Sequence, residues 1–152
     1  MEKELPLIPY GISNFEKLRR DNYIYVDKTK FIEEVEKTSI LIHLRPRRFG
    51  KSLFISMLES YYDVAQSDKF DELFGGLYIH ENPTKRRNSY YVLRFNLSGV
   101  SSTSEESLQA GFLRKVNEGA QNFIDHYSLN IKLNEEETEP AGVLGRLLTA
   151  FR

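Results

Sequence analysis

The sequence predicts an α/β fold in which the strands of a mainly parallel sheet alternate with helices. Two observations predict it: apolar runs at 40–45 and 90–97 are typical of strands buried on both faces, and stretches with helical spacing of apolar residues follow each run. This alternation is the pattern of a three-layer α/β/α architecture. Because two strong strands are few for such a sheet, we expect the architecture to be incomplete within the 152 residues.

The first elements are short. Residues 1–14 are predicted to form an extended lead-in, because two prolines and a glycine favour turns there. The aromatic and β-branched run 23–26 predicts a short strand. A helix is then expected from Asp27 or Thr29 to about Lys37, since apolar residues recur on one face of that stretch.

The later elements are predicted to be mainly helical. Apolar residues at helical spacing predict a helix that begins at Lys51, and residues 68–74 predict a shorter one that two glycines end. The sequence 77–79 favours a brief strand pairing. After the strand at 90–97, a serine-rich turn leads into a long helix that is expected to end near Tyr127.

The last predicted helix, 140–151, begins with a proline and carries an apolar stripe to the end of the chain. No turn residue follows the stripe, and so apolar a helix normally leads back into a sheet. We therefore expect the chain, residues 1–152, to be the N-terminal part of a domain that is cut before another core strand. An exposed stripe of this kind also favours self-association through helix 140–151.

Composition narrows the classes of function. The net charge is −1, with 40% hydrophobic and 28% charged residues, so no bulk field attracts nucleic acid or an acidic membrane. The absence of cysteine excludes disulfides and thiolate chemistry, and three scattered histidines disfavour a zinc site. The charged N-terminus does not resemble a signal peptide, and no apolar run has the ~20 residues of a membrane span. These features predict a cytoplasmic protein with no membrane partner.

The residues that point to chemistry form a basic octapeptide, Arg45-Pro46-Arg47-Arg48-Phe49-Gly50-Lys51-Ser52. It follows a predicted strand and opens a predicted helix. A strand, a tight loop, Gly-Lys-Ser and a helix in this order are the arrangement of a phosphate-binding P-loop. The octapeptide therefore predicts a P-loop NTPase-like fold that binds ATP, or another nucleoside triphosphate, together with Mg²⁺.

Each residue type in the motif suits this role. Gly50 lets backbone N–H groups approach phosphate oxygens, because it has no Cβ. Lys51 is the candidate catalytic residue, placed to reach the β- and γ-phosphates, and the Ser52 hydroxyl is the candidate Mg²⁺ ligand. The helix N-terminus also favours anions. The predicted nucleotide-binding residues are Arg45, Pro46, Arg47, Arg48, Phe49, Gly50, Lys51, Ser52 and Leu53.

The motif departs from its usual form at one position, since Arg45 stands where the first glycine is expected and Pro46 stiffens the turn instead. One alternative is a basic surface turn that contains Gly-Lys-Ser by chance. Another is a module that does not hydrolyse ATP and binds a protein partner or nucleic acid through Arg45, Arg47 and Arg48.

Two further features bear on the activity. Asp27 follows a predicted strand upstream of the octapeptide and is a candidate for a position near the nucleotide base, with a helix N-cap as the alternative. ATP hydrolysis by P-loop enzymes needs an acidic residue at the end of a second apolar strand. The strand at 90–97 is followed by Ser98 and supplies no such residue, so the sequence leaves open whether this chain is an ATPase.

Three segments in order, 9–15, 25–29 and 44–53, resemble the bacterial AAA-ATPase-like family. The resemblance implies a P-loop domain that is usually followed by a PD-(D/E)xK nuclease-like domain. That family's loop has the Arg-Pro-Arg-Arg form, which accounts for Arg45. The resemblance also implies phosphate and Mg²⁺ contacts at Gly50-Lys51-Ser52, an acidic Walker B strand beyond residue 152, and nucleic acid as a partner of the full-length protein.

Overall fold

Helices make up the regular structure in the part of the chain that the computed structural model describes, which is residues 5–44, 46–134 and 137–150. One 3₁₀ helix spans Val64–Lys69. The α-helices are α1 (Phe15–Arg20), α2 (Phe31–Val35), α3 (Lys51–Tyr62), α4 (Phe70–Phe74), α5 (Tyr78–Glu81), α6 (Glu105–His126) and α7 (Pro140–Thr149). Contacts divide the chain into two compact units, Met1–Tyr91 and Val92–Arg152.

The predicted α/β fold with a parallel sheet is wrong. No β-strand forms within residues 5–44, 46–134 and 137–150, and β-pairing there is limited to two isolated parallel bridges, Leu7 with Tyr23 and Asp63 with Tyr90. The predicted pairing at 77–79 is also absent, because α5 begins at Tyr78. The P-loop NTPase-like α/β/α architecture is therefore not the fold of this structure.

The physical reason is the lack of strand partners. A β-strand satisfies its backbone groups only by pairing with a neighbour, so its stability depends on context more than on its own residues. The run at 40–44 has β-forming composition but finds no neighbour, and its side chains remain in solvent: Ile40 is 79% exposed and Ile42 77%. The apolar pattern was thus a wrong sign of a sheet.

The first unit is built around α3. Met57 and Tyr61 of this helix are fully buried, and they pack in one cluster with Phe15 of α1 and Phe74 of α4. Arg19 joins α1 to the end of α4, because its guanidinium donates hydrogen bonds of 2.7 Å each to the backbone carbonyls of Leu73 and Gly75. These contacts give α3 a fixed position in its unit.

The second unit contains α6 and α7. Val143 and Leu147 of α7 are buried in one cluster with residues of α6, including Ala120 and Phe123. The described part of the apolar stripe predicted for helix 140–151 is thus covered at Val143 and Leu147, whereas Leu148 is 69% exposed. Residue 151 lies outside the described residues. Self-association through this helix stays a prediction.

Candidate functional site

The basic octapeptide turns sharply before α3. Arg48 has φ +67° and Gly50 has φ +74°, so two of three consecutive residues adopt the left-handed conformation. Glycine adopts this conformation at little cost, whereas arginine does so only with strain. Gly50 is the N-cap residue of α3, and its carbonyl accepts a 2.9 Å hydrogen bond from the Phe54 N–H. The sequence prediction that the helix begins at Lys51 is confirmed.

This turn forms one wall of an open cavity of about 580 Å³. The lead-in segment, Pro9–Ser13, lines the same cavity and forms its second wall, although it lies about forty residues away in the sequence. A volume of this order is typical of small-molecule sites in proteins. The lining residues are Pro9, Tyr10, Gly11, Ile12, Ser13, Arg48, Gly50, Lys51, Ser52 and Leu53.

The structure brings together five of the nine predicted nucleotide-binding residues, those at positions 48 and 50–53. Phe49 instead lines a smaller cavity of about 150 Å³ together with Gly50 and Phe54. Pro46 and Arg47 are exposed and are not among the lining residues of the larger cavity. Arg45 lies outside the described residues.

The lead-in segment is held in place by hydrogen bonds of the residues on either side of it, two positions before Pro9 and two positions after Ser13. At its start, the Leu7 N–H donates to the Asn22 carbonyl at 3.0 Å, and the Leu7 carbonyl accepts from the Ile24 N–H at 2.8 Å. At its end, the Phe15 N–H donates a buried 3.0 Å hydrogen bond to Oγ of Ser56 in α3. The bond from Phe15 to Ser56 ties the segment to α3, the helix whose first turn lines the same cavity.

The cavity has positive charge on the octapeptide side. Arg48 is exposed, Lys51 is half-buried, and both line the cavity. Among the described residues neither Arg47 nor Arg48 forms an ion pair, so both guanidinium charges remain available to a ligand. The N-terminus of α3 adds to this field, because a helix dipole is positive at that end and Gly50 supplies no side-chain cap.

A divalent cation would find few protein ligands here. Mg²⁺ prefers oxygen ligands and usually retains several waters beside one or two protein groups and the phosphates of its nucleotide. The exposed Ser52 hydroxyl fits one such position at the cavity wall. Within the described part of the chain, no three His, Asp or Glu side chains cluster as a metal site.

Both carboxylate oxygens of Asp27 accept hydrogen bonds from other residues of the first unit. Its Oδ1 accepts from the N–H and the hydroxyl of Thr29 at 2.8 and 2.7 Å, and its Oδ2 accepts from the N–H of Tyr78 at 2.8 Å. Partial burial would raise the pKa of this carboxyl, but the hydrogen bonds from Tyr78 and Thr29 prevail and lower it. Asp27 therefore joins its turn to the first residue of α5, and the base-proximal role stays a prediction.

The lead-in segment is the part of the cavity whose place in a binding site was not predicted from the sequence. It contains no charged group between Pro9 and Ser13, so no chemistry-bearing pattern marks it. A usable signal was present, because Pro9 and Gly11 on either side of Tyr10 indicate a turn that presents an aromatic ring. Gly11 does adopt φ +70°.

Comparison with known proteins shows to which family the chain belongs. A family profile described as a predicted AAA-ATPase matches residues 9–152. The chain therefore belongs to the AAA-ATPase-like family. A similar curated protein is the "uncharacterized protein in vnfD 5′ region" of Azotobacter chroococcum mcd 1, which is 35% identical over an alignment of 117 residues. The alignment covers 74% of this chain. The chain spans 22% of that relative's length. No solved structure matches the chain significantly.

Within the described residues, no helix combines the length and the apolar character needed to cross a bilayer. A cytoplasmic location stays a prediction.

Proposed function

We propose that the basic octapeptide and the first turn of α3 bind the phosphates of ATP, or another nucleoside triphosphate, together with Mg²⁺. The observation that carries the proposal is the large cavity, which has Arg48, Gly50, Lys51 and Ser52 on one wall. Membership of a family described as predicted ATPases supports it.

The proposed roles follow from the chemistry of the residues. The Lys51 ammonium would neutralise charge on the β- and γ-phosphates, and backbone N–H groups near Gly50 would approach phosphate oxygens without a Cβ in the way. The Arg48 guanidinium would add a second cation with several donors. The Ser52 hydroxyl would hold Mg²⁺, which supplies further neutralisation of phosphate charge when it is bound.

The family resemblance extends the proposal to a longer protein. In that protein, ATP turnover would require an acidic strand beyond residue 152 and would be coupled to a nuclease-like domain. We expect ATP hydrolysis by the longer protein, and its loss in the Lys51→Ala variant. Hydrolysis that survives this substitution would contradict the extended proposal.

A second candidate function is a module that binds nucleic acid or an acidic partner without hydrolysis. The supporting observation is that Arg47 and Arg48 are both exposed and, among the described residues, without an ion-pair partner. Binding to phosphates of a nucleic acid releases counterions, so its affinity would fall steeply with salt and would not need Mg²⁺.

Calorimetric titration with Mg·ATP tests the first proposal. We expect the wild-type chain to bind, and Lys51→Ala to bind about 100-fold more weakly, because a charged contact with phosphate contributes roughly 3 kcal/mol. Lys85→Ala is the matched control, since Lys85 is an exposed lysine that does not line the cavity. Circular dichroism of each variant verifies that the fold is retained.

The outcomes separate the two candidates. Loss of binding in Lys51→Ala with full binding in Lys85→Ala supports the phosphate site. Equal affinity in the wild type and Lys51→Ala would overturn it. Binding of single-stranded DNA that weakens with salt, in a chain that does not bind Mg·ATP, would favour the second candidate.

A further inference from the structure

We infer that the lead-in segment Pro9–Ser13 is the nucleoside-recognition wall of the same cavity, with the ring of Tyr10 stacking on the base. This inference rests on the proposed function and adds to it the part of the ligand that the second wall recognises. The phosphates would lie against Arg48 and Lys51, and the base would lie against Pro9–Ser13, which line the same cavity.

The two walls differ in chemistry. The octapeptide wall carries Arg48 and Lys51, whereas the lead-in wall carries Pro9, Tyr10 and Ile12 and no charged side chain. A nucleotide has the same division, because its phosphates are anionic and its base presents an apolar π-face. The cationic wall therefore sets the direction in which such a ligand lies in the cavity.

Tyr10 is placed for contact with a ligand. Its side chain is 87% exposed and lines the cavity, so it makes no contribution to the buried core of its unit. Every base has a face that stacks on an aromatic ring, and such stacking commonly strengthens binding about 10-fold or more. An exposed tyrosine alone would carry no meaning, but Tyr10 lines the same cavity as a cationic turn.

The lead-in wall is also preorganised. The backbone pairing of Leu7 with Tyr23 precedes it, and the hydrogen bond from Phe15 to Ser56 follows it. Gly11, at φ +70°, turns the backbone between these two anchors. A segment that is already ordered loses little conformational entropy when a ligand binds. Little of the favourable free energy of stacking is therefore offset by the cost of ordering the segment.

The experiment compares two ligands, Mg·ATP and Mg·tripolyphosphate, by calorimetry on the full chain. Tripolyphosphate has the phosphates and lacks the nucleoside. We expect Tyr10→Ala to bind Mg·ATP about 10-fold more weakly and tripolyphosphate unchanged, while Tyr10→Phe retains both affinities. Lys51→Ala should weaken both ligands. Tyr91→Ala, an exposed tyrosine outside the cavity lining, is the matched control.

The outcomes distinguish the inference from the function on which it rests. Equal ATP affinity in the wild type and Tyr10→Ala would overturn the inference and leave the phosphate site standing. So would equal weakening of ATP and tripolyphosphate in Tyr10→Ala, because that pattern indicates a general effect on the cavity. A wild-type chain that binds neither ligand would overturn both proposals.

Discussion

The backbone N–H of Phe15 donates a buried 3.0 Å hydrogen bond to Oγ of Ser56, 41 residues further along the chain. Phe15 begins α1 two residues after the lead-in wall of the cavity, and Ser56 lies one helical turn beyond Ser52 in α3. Because both residues are buried, this bond is protected from competing water. It therefore connects the two walls of the candidate site through the core of the first unit.

The first prediction concerns this bond. Ser56→Ala leaves the buried N–H of Phe15 without an acceptor, and we expect the free energy of unfolding to fall by about 1–3 kcal/mol. Urea denaturation measures the change. Ser52→Ala is the control, because Ser52 is exposed on the same helix, and its stability should change by less than about 0.5 kcal/mol. Equal stability of the two variants would show that the bond does not hold the lead-in segment.

The second prediction concerns the left-handed arginine. Arg48→Gly relieves strain at φ +67°, so we expect the variant to be more stable by about 0.5–1 kcal/mol, while its affinity for Mg·ATP falls with the loss of the guanidinium. Arg47→Gly is the control, since Arg47 is not among the residues with positive φ and should gain no stability. A fall in stability for Arg48→Gly would contradict the expectation, as would unchanged affinity.

The third prediction is a pH dependence that Asp27 causes. Its folded pKa is lowered, so its contribution to stability is present above the unfolded value near 3.8 and is lost as the pH falls through the folded pKa. Asp27→Asn should lower stability at pH 7 by about 1 kcal/mol, since partial exposure weakens these hydrogen bonds. The loss should vanish once the pH lies below the folded pKa.

Urea denaturation at pH 7 and at acid pH tests this pattern. The matched control is Asp68→Asn, because Asp68 is an exposed aspartate in the 3₁₀ helix Val64–Lys69. A difference between wild type and Asp27→Asn that stays constant with pH would indicate a packing effect and would sink the assignment to the ionised carboxylate.

The fourth prediction concerns the second unit. A Cβ added at Gly119 of α6 would lie 2.5 Å from Cδ1 of Phe95 and 2.9 Å from the carbonyl oxygen of Arg94, so Gly119→Ala should destabilise the unit by about 1–3 kcal/mol. A Cβ added at Gly145 of α7 meets no atom within 4 Å. Gly145→Ala should therefore stabilise the unit by up to about 1 kcal/mol through helix propensity. A melting temperature that does not fall in Gly119→Ala, relative to the wild type, would refute the packing at Gly119.

Helical elements could be predicted from the sequence, and sheet elements could not. The start of α3 at Lys51 follows from apolar spacing and from Gly50, both of which act within a few residues. The run at 40–45 was predicted as a core strand from the same kind of local pattern. Strand pairing depends on a partner elsewhere in the chain, however, and Leu44 without one is 85% exposed.

The sequence by itself determined the family and the chemistry of one wall of the site, because a motif of Gly50, Lys51 and Ser52 is contiguous and its helix is local. Only the tertiary structure decided that Pro9–Ser13 lines the same cavity as the octapeptide and that Asp27 bonds to Tyr78. Both results bring together residues that are 35 or more positions apart in the sequence. Such contacts depend on how the buried faces of α1 and α3 pack, and no local pattern of residues specifies that packing.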